Sequence, residues 1–219
     1  MRVNIRYLSL IVFVLPLFTV VISYIVSVRL NLVSFCIPNL DGGTSISRTA
    51  RYFPTYLIFK PAMFFTSFLL IKYWLYNKEI IKLFDENHKH IKRFVFFGIG
   101  SAVMLILHSI FLGISFDIGI YKLFRRLVML LFIIFEVVAQ AYLVLTLYSL
   151  KDKLLKYINP NILKFKMFLV SILIIVAIVS IPIVSMPGNK FIKHALEWDY
   201  FVGVISFYLL TFFMWKNKN

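Results

Sequence analysis

Three ionisable residues stand inside long apolar stretches of this chain: Lys60, His108 and Glu136. A charge in the hydrocarbon of a bilayer is costly, so such residues turn toward a bundle interior and default to functional positions. A lysine there can hold an anionic head group. A histidine near a carboxylate can move a proton on and off an ester. Gln140 follows Glu136 by four residues, which puts both on one helix face. Each residue also has a plainer reading. Lys60 can snorkel along its stem to the interface. His108 can be a hydrogen-bonded packing residue. Glu136 can form a structural pair with either, because a carboxylate so deep needs a partner.

The elements that must position these groups follow from composition. The chain has 219 residues, 61% hydrophobic and 15% charged, with 24 Lys+Arg against 9 Asp+Glu. A soluble domain has about half apolar residues and roughly a quarter charged. One small core cannot hide this apolar excess. An ordinary soluble enzyme, a disordered chain and a nucleic-acid-binding protein are thereby disfavoured, and a membrane protein remains. A bilayer core needs about 20 apolar residues per helix, and six stretches supply them. They run from about Tyr7 to Ser27, Pro54 to Tyr76, Phe94 to Ser115, Leu127 to Leu150, Met167 to Met186 and Leu196 to Trp215. The expected fold is all-α: one polytopic six-helix transmembrane domain over residues 1–219. The first stretch follows a basic start but is too long for a signal-peptide core and has no A-x-A cleavage site, so it reads as a retained helix.

Lys and Arg in short loops set orientation. With both termini in the cytoplasm, fifteen of the 24 basic residues fall inside or near the inner face, including Lys164 and Lys166 in the fourth connection. The longest connection is then the first outer loop, about Val28 to Phe53, with Gly42-Gly43 marking a tight turn. At 1.5 Å per residue, Lys60, His108 and Glu136 lie roughly 9, 10 and 14 Å below the outer boundary. Arg48 and Arg51 of the outer loop are three apart and suit a phosphate or carboxylate. Asp117, Arg125 and Arg126 fall in the second outer loop, and Lys190, Lys193, His194, Glu197 and Asp199 precede or open the last helix. The single cysteine, Cys36, excludes an intramolecular disulfide. The run Asp85-Glu-Asn-His-Lys-His90 reads as a solvated turn rather than a metal site, and no cofactor or metal is implied. Gly98, Gly100 and Ser101 suit close helix packing. The inner half of the spans reads as poor in polar groups.

Asp41-Gly42-Gly43-Thr44, shortly after Pro38, resembles the D-x-G-T signature of the DRAM (damage-regulated autophagy modulator) proteins. That superfamily includes the FGF-receptor-activating protein, the Sfk proteins, the Cwh-type N-terminal domain and post-GPI-attachment lipid-remodelling members. Ser45 to Pro54 is similar to the corresponding loop of the remodelling members. Glu197-Trp198 followed by Phe207-Tyr-Leu-Leu-Thr-Phe212 is similar to the last helix of the DRAM branch, and Gln140 falls where that family has a glutamine. Leu40 stands where the family usually has a serine, and His194 is closer to Glu197 than the family's histidine. The resemblance implies a six-helix membrane protein tied to lipid handling.

The expected function is binding of, or action on, lipid head groups at the outer, periplasmic or lumenal, leaflet. Arg48, Arg51 and Lys60 would bind the head group, and Glu136 and His108 would supply acid–base chemistry. Asp41, Gly43, Thr44, Gln140, Glu197 and Trp198 would order the loop. The alternatives are a non-catalytic sensor, scaffold or regulator, and, third, a small transporter. Expected partners are membrane lipids, with a membrane-protein partner or a second copy possible and no nucleic acid. The expected location is the inner membrane of a prokaryote or an endomembrane of a eukaryote.

Overall fold

The computed structural model describes residues 2–114, 119–186 and 188–216. Asp117 and Lys218 lie outside these residues. The protein is helical, with no strand among the described residues beyond an isolated bridge between Ile158 and Trp215. The six long helices are α1 (Arg2–Arg29), α4 (Thr55–Lys82), α5 (Ile91–Phe111), α6 (Gly119–Ser149), α8 (Pro160–Ser185) and α9 (Lys190–Met214). All six are long and apolar enough to cross a membrane, so this is a multi-pass integral membrane protein. Three four-residue helices stand between them: α2 (Pro38–Asp41) and α3 (Ile46–Thr49) in the long loop, and α7 (Lys151–Leu154) after α6.

Local sequence explains the helix ends. α8 starts at Pro160, whose missing N–H is no loss in a first turn, and the Asn159 side chain accepts from Asn161 N at 3.0 Å. The Ser45 hydroxyl accepts from Arg48 N at 3.2 Å and caps α3. α2 stops at Gly42, whose φ of 57° is left-handed.

The long helices form a closed ring in chain order. Each packs on the next, from α1 through α4, α5, α6 and α8 to α9, and α9 returns to α1. The packing of α5 on α4 depends on Gly98. A Cβ there would lie 2.3 Å from the Trp74 ring, so only a bare backbone lets the fully buried indole pass. Phe94, Tyr73, Phe207 and Tyr208 complete an aromatic core. At the loop-poor end, Asn159 N donates to Met214 O at 2.8 Å and Lys216 N to Tyr157 O at 3.0 Å, tying the ends of α8 and α9 together.

The structure corrects three expectations. α6 begins at Gly119 rather than near Leu127, so Arg125 and Arg126 lie in a helix and not in the second outer loop. α9 begins at Lys190 rather than near Leu196, so His194, Glu197, Trp198 and Asp199 are helical. Lys166 is not a loop charge. It lies in α8 on the stripe of Leu163, Val170 and Leu173, all buried, and is itself 0% exposed, while Lys164 faces outward. Its ammonium donates to Thr211 Oγ1 at 2.7 Å and lies 3.8 Å from the centre of the Phe207 ring. Thr211 in turn bonds Tyr73 Oη at 3.0 Å, and Asn77 donates to Tyr73 O at 2.9 Å. That half of the bundle therefore carries more buried polar groups than the sequence reading assigned to it.

Replacing Gly98 with leucine should force α4 and α5 apart. Overpacking of this kind costs about 1–3 kcal/mol, read as a lower melting temperature in detergent, whereas Gly98→Ala should cost less.

Candidate functional site

The long loop is held down by one face of α9. His194 and Trp198 are four apart, with Glu197 beside them, so they share a helix face. Trp198 Nε1 donates to Thr44 O at 3.0 Å, and His194 Nδ1 lies 2.9 Å from Gly42 O. Glu197 accepts from Ser47 N at 3.2 Å, a carboxylate meeting the free N–H groups at the start of α3. Asn39 donates to Asp199 at 2.7 Å. The approach is so close that a Cβ on Gly42 would lie 1.8 Å from Phe191 O. Within the loop, Asp41 accepts from Ile37 N at 2.7 Å. The Tyr24 hydroxyl donates to Cys36 O at 2.5 Å and accepts from Cys36 N at 3.0 Å, while its ring meets Trp198 edge-on at 5.8 Å. A β-carbon on Gly43 would touch Cys36 at 3.0 Å. The Asp41–Thr44 turn and the Glu197-Trp198 pair, far apart in sequence, thus meet in space.

Below the loop, Glu136 joins three helices. It is 1% exposed. Tyr208 of α9 and Gln140 donate to its Oε1, the latter at 3.1 Å, and Ser101 of α5 donates to Oε2 at 2.6 Å. Gln140 also donates to Val204 O at 3.1 Å. These bonds join α6 to α9 directly, beside the packing of both on α8.

Between the loop and Glu136 runs a cavity, with about 80 Å³ of it open to the centre of a water-sized sphere. Ile46, Ser47 and Glu197 border its loop end, and Leu70 and Tyr208 lie farther along its wall. Its walls are largely apolar, built from Val12, Val20, Phe59, Met63, Leu105 and Val204 among others. Among the long helices α8 alone contributes nothing to the lining.

His108 lines the same cavity and is 4% exposed, yet its Nδ1 has no hydrogen-bond partner. Arg51 and Arg125 both lie within electrostatic reach of its ring. Arg51 Nε is also buried without a partner. The Arg51 backbone is brought there by Gly113, where a Cβ would lie 2.9 Å from Arg51 O. Among the described residues no ion pair involves either arginine; the pair found is Lys78 with Glu79, at 3.9 Å.

The structure brings together Glu136, His108, Gln140 and Glu197 around one cavity, with Arg51 beside it. It does not bring Lys60 there. Lys60 Nζ donates to Ile110 O at 3.2 Å and lies 5.7 Å from the Tyr56 ring centre, outside the lining. Arg48 is half-buried on α3, within electrostatic reach of His194. Arg125, Tyr208 and Ser101 were not singled out as site residues from the sequence. Ser101 and Tyr208 carry a legible signal, small or hydroxylated residues on apolar helices opposite a buried acid, but which helices face each other is settled only by packing.

Trp198→Phe should release the loop by leaving Thr44 O unbonded. A buried group without its partner costs about 1–3 kcal/mol. The expected readout is faster tryptic cleavage after Arg48 and Arg51 in detergent, with α9 otherwise intact by circular dichroism.

Comparisons with family models, with curated proteins and with solved structures give no match.

Proposed function

We propose that this membrane protein binds a lipid drawn from the outer leaflet, with part of an acyl chain in the central cavity and the head group at the long loop. The carrying observation is the cavity itself. A void needs two to four polar partners for each water it holds, and here the wall is mostly Val, Leu, Ile, Met and Phe while Glu136 has both oxygens engaged. Methylene groups satisfy such a wall and water does not. The Asp41–Thr44 and Glu197-Trp198 motifs, which resemble those of a lipid-handling superfamily, point the same way. The loop end faces the periplasm or lumen in this reading, because Lys78, Lys82, Lys89, Lys92 and Arg93 gather at the opposite end.

Filling the cavity should expel the lipid. Val12→Phe and Val204→Phe project into it from different helices. Displacing about two methylenes at ~0.8 kcal/mol each gives roughly a tenfold loss of retained lipid. Mass spectrometry of lipid per purified protein reads it out. Unchanged retention in both variants, with melting temperatures like wild type, would sink the proposal.

Orientation is checked separately in a Cys36→Ser background. Leu40→Cys, on an exposed loop position, should react with an impermeant maleimide in sealed cells or in vesicles with the lumenal side outward. Lys156→Cys should react only after permeabilisation.

A further inference from the structure

The reading above says where a chain would lie but not which head group is selected. We propose that the loop end of the cavity is an anion site that takes the phosphate of an anionic phospholipid, held by Arg51, Arg125 and His108. The inference rests on the lipid reading and adds a head-group class to it.

The first support is unspent hydrogen-bonding capacity. His108 lines the cavity, is 4% exposed and has a free Nδ1; Arg51 Nε is buried and also free. Buried polar atoms in proteins are paired, and an unpaired one calls for an explanation. The second is unbalanced charge. Arg51 acts electrostatically on both His108 and Arg125, so the three groups are neighbours. Like charges at such range repel, and no ion pair with a carboxylate relieves either arginine among the described residues. Glu197 is within electrostatic reach of Arg51 but forms no ion pair with it, and its carboxylate accepts from Ser47 N at the start of α3. The third is origin. The three groups come from the long loop, α5 and α6, and the ends of α5 and α6 meet through Tyr121 Oη on Phe111 O at 2.8 Å, while Gly113 brings the Arg51 backbone to the same end. A tetrahedral phosphate accepts from several directions at once and matches the arginine fork. Its attached chains would run down the apolar wall toward Glu136.

The test uses the purified full chain in a neutral detergent and two lipids with identical palmitoyl and oleoyl chains, phosphatidylglycerol and the phosphate-free diacylglycerol. Native mass spectrometry gives the affinity for each. Charge-assisted hydrogen bonds are worth about 1.5–3 kcal/mol each, so wild type should prefer phosphatidylglycerol at least about tenfold. Arg51→Gln/Arg125→Gln should lose that preference. Arg51→Lys/Arg125→Lys should keep part of it, which separates loss of charge from loss of fold. Wild type binding both lipids equally, or the Gln double variant keeping the preference, would overturn the anion site while leaving lipid binding intact. Failure of wild type to bind either lipid would instead overturn the lipid reading on which the site rests. A parallel arm offers glycerol 1-phosphate. If it binds at the same concentrations with the same arginine dependence, the site takes a soluble phosphate ester and the lipid assignment of the anion is wrong.

Discussion

The loop end of this bundle depends on the docking of one irregular loop onto the first turns of α9. A loop at a membrane boundary carries backbone N–H and C=O groups that cannot be left dry. Here α9 supplies the missing partners: Trp198 for Thr44 O, His194 for Gly42 O and Glu197 for Ser47 N. The side chains that read as a charged run in sequence are a template that fixes a backbone. Once Gly42 is seated against Phe191 and α3 is capped by Glu197, Ser47 and Ile46 border the cavity and Arg51 is directed to the end of α5. Remove the template and the loop end of the cavity has no fixed border.

The second constraint is the buried carboxylate. Glu136 gathers Ser101 from α5 and Tyr208 from α9, and Gln140 reaches across to Val204 O. These bonds link α6 to α9 across the inside of the bundle, while α8 packs between them in the ring. The cavity belongs to five long helices and the short α3. α8 is left with an outward face of Phe168, Ile175, Ile178 and Ile181, suited to lipid. Its inward face carries Lys166, bonded to Thr211 and set over Phe207. This buried lysine lies away from the cavity lining, so polar material in that half is packed into the wall and does not extend the cavity through the membrane.

Much of this was legible in the sequence, for identifiable reasons. The six spans are long apolar runs, and length alone identifies them. Glu136 and His108 stand out because an ionisable residue in hydrocarbon has no bland surroundings to explain it. Lys60 stands out equally but ends on Ile110 O, because a long flexible stem lets it choose a partner that sequence depth cannot foresee. Lys166 was misread because it was counted with its loop neighbours. Its spacing from Leu163, Val170 and Leu173 marks the buried stripe once α8 is known to begin at Pro160. The start of α9 was placed late for the opposite reason: polar residues hid a helix whose partner is a loop, not lipid. The pairing of Arg51 with Arg125 had no sequence signal, since it joins two loop-proximal segments through the end of a third.

Hydrogen-bond saturation separates the polar groups of the site by what they are free to do. Each carboxylate oxygen offers about two acceptor positions, and Glu136 has three donors already in place from the protein. A general base must reach a substrate proton directly or through one water, and about three of the four acceptor positions of Glu136 are already taken. Glu197 is likewise committed to α3. His108 Nδ1 and Arg51 Nε are in the opposite condition, buried with no hydrogen-bond partner among the described residues. On the reading proposed above, this contrast between engaged acceptors and unpaired nitrogens at the loop end supports the anion site.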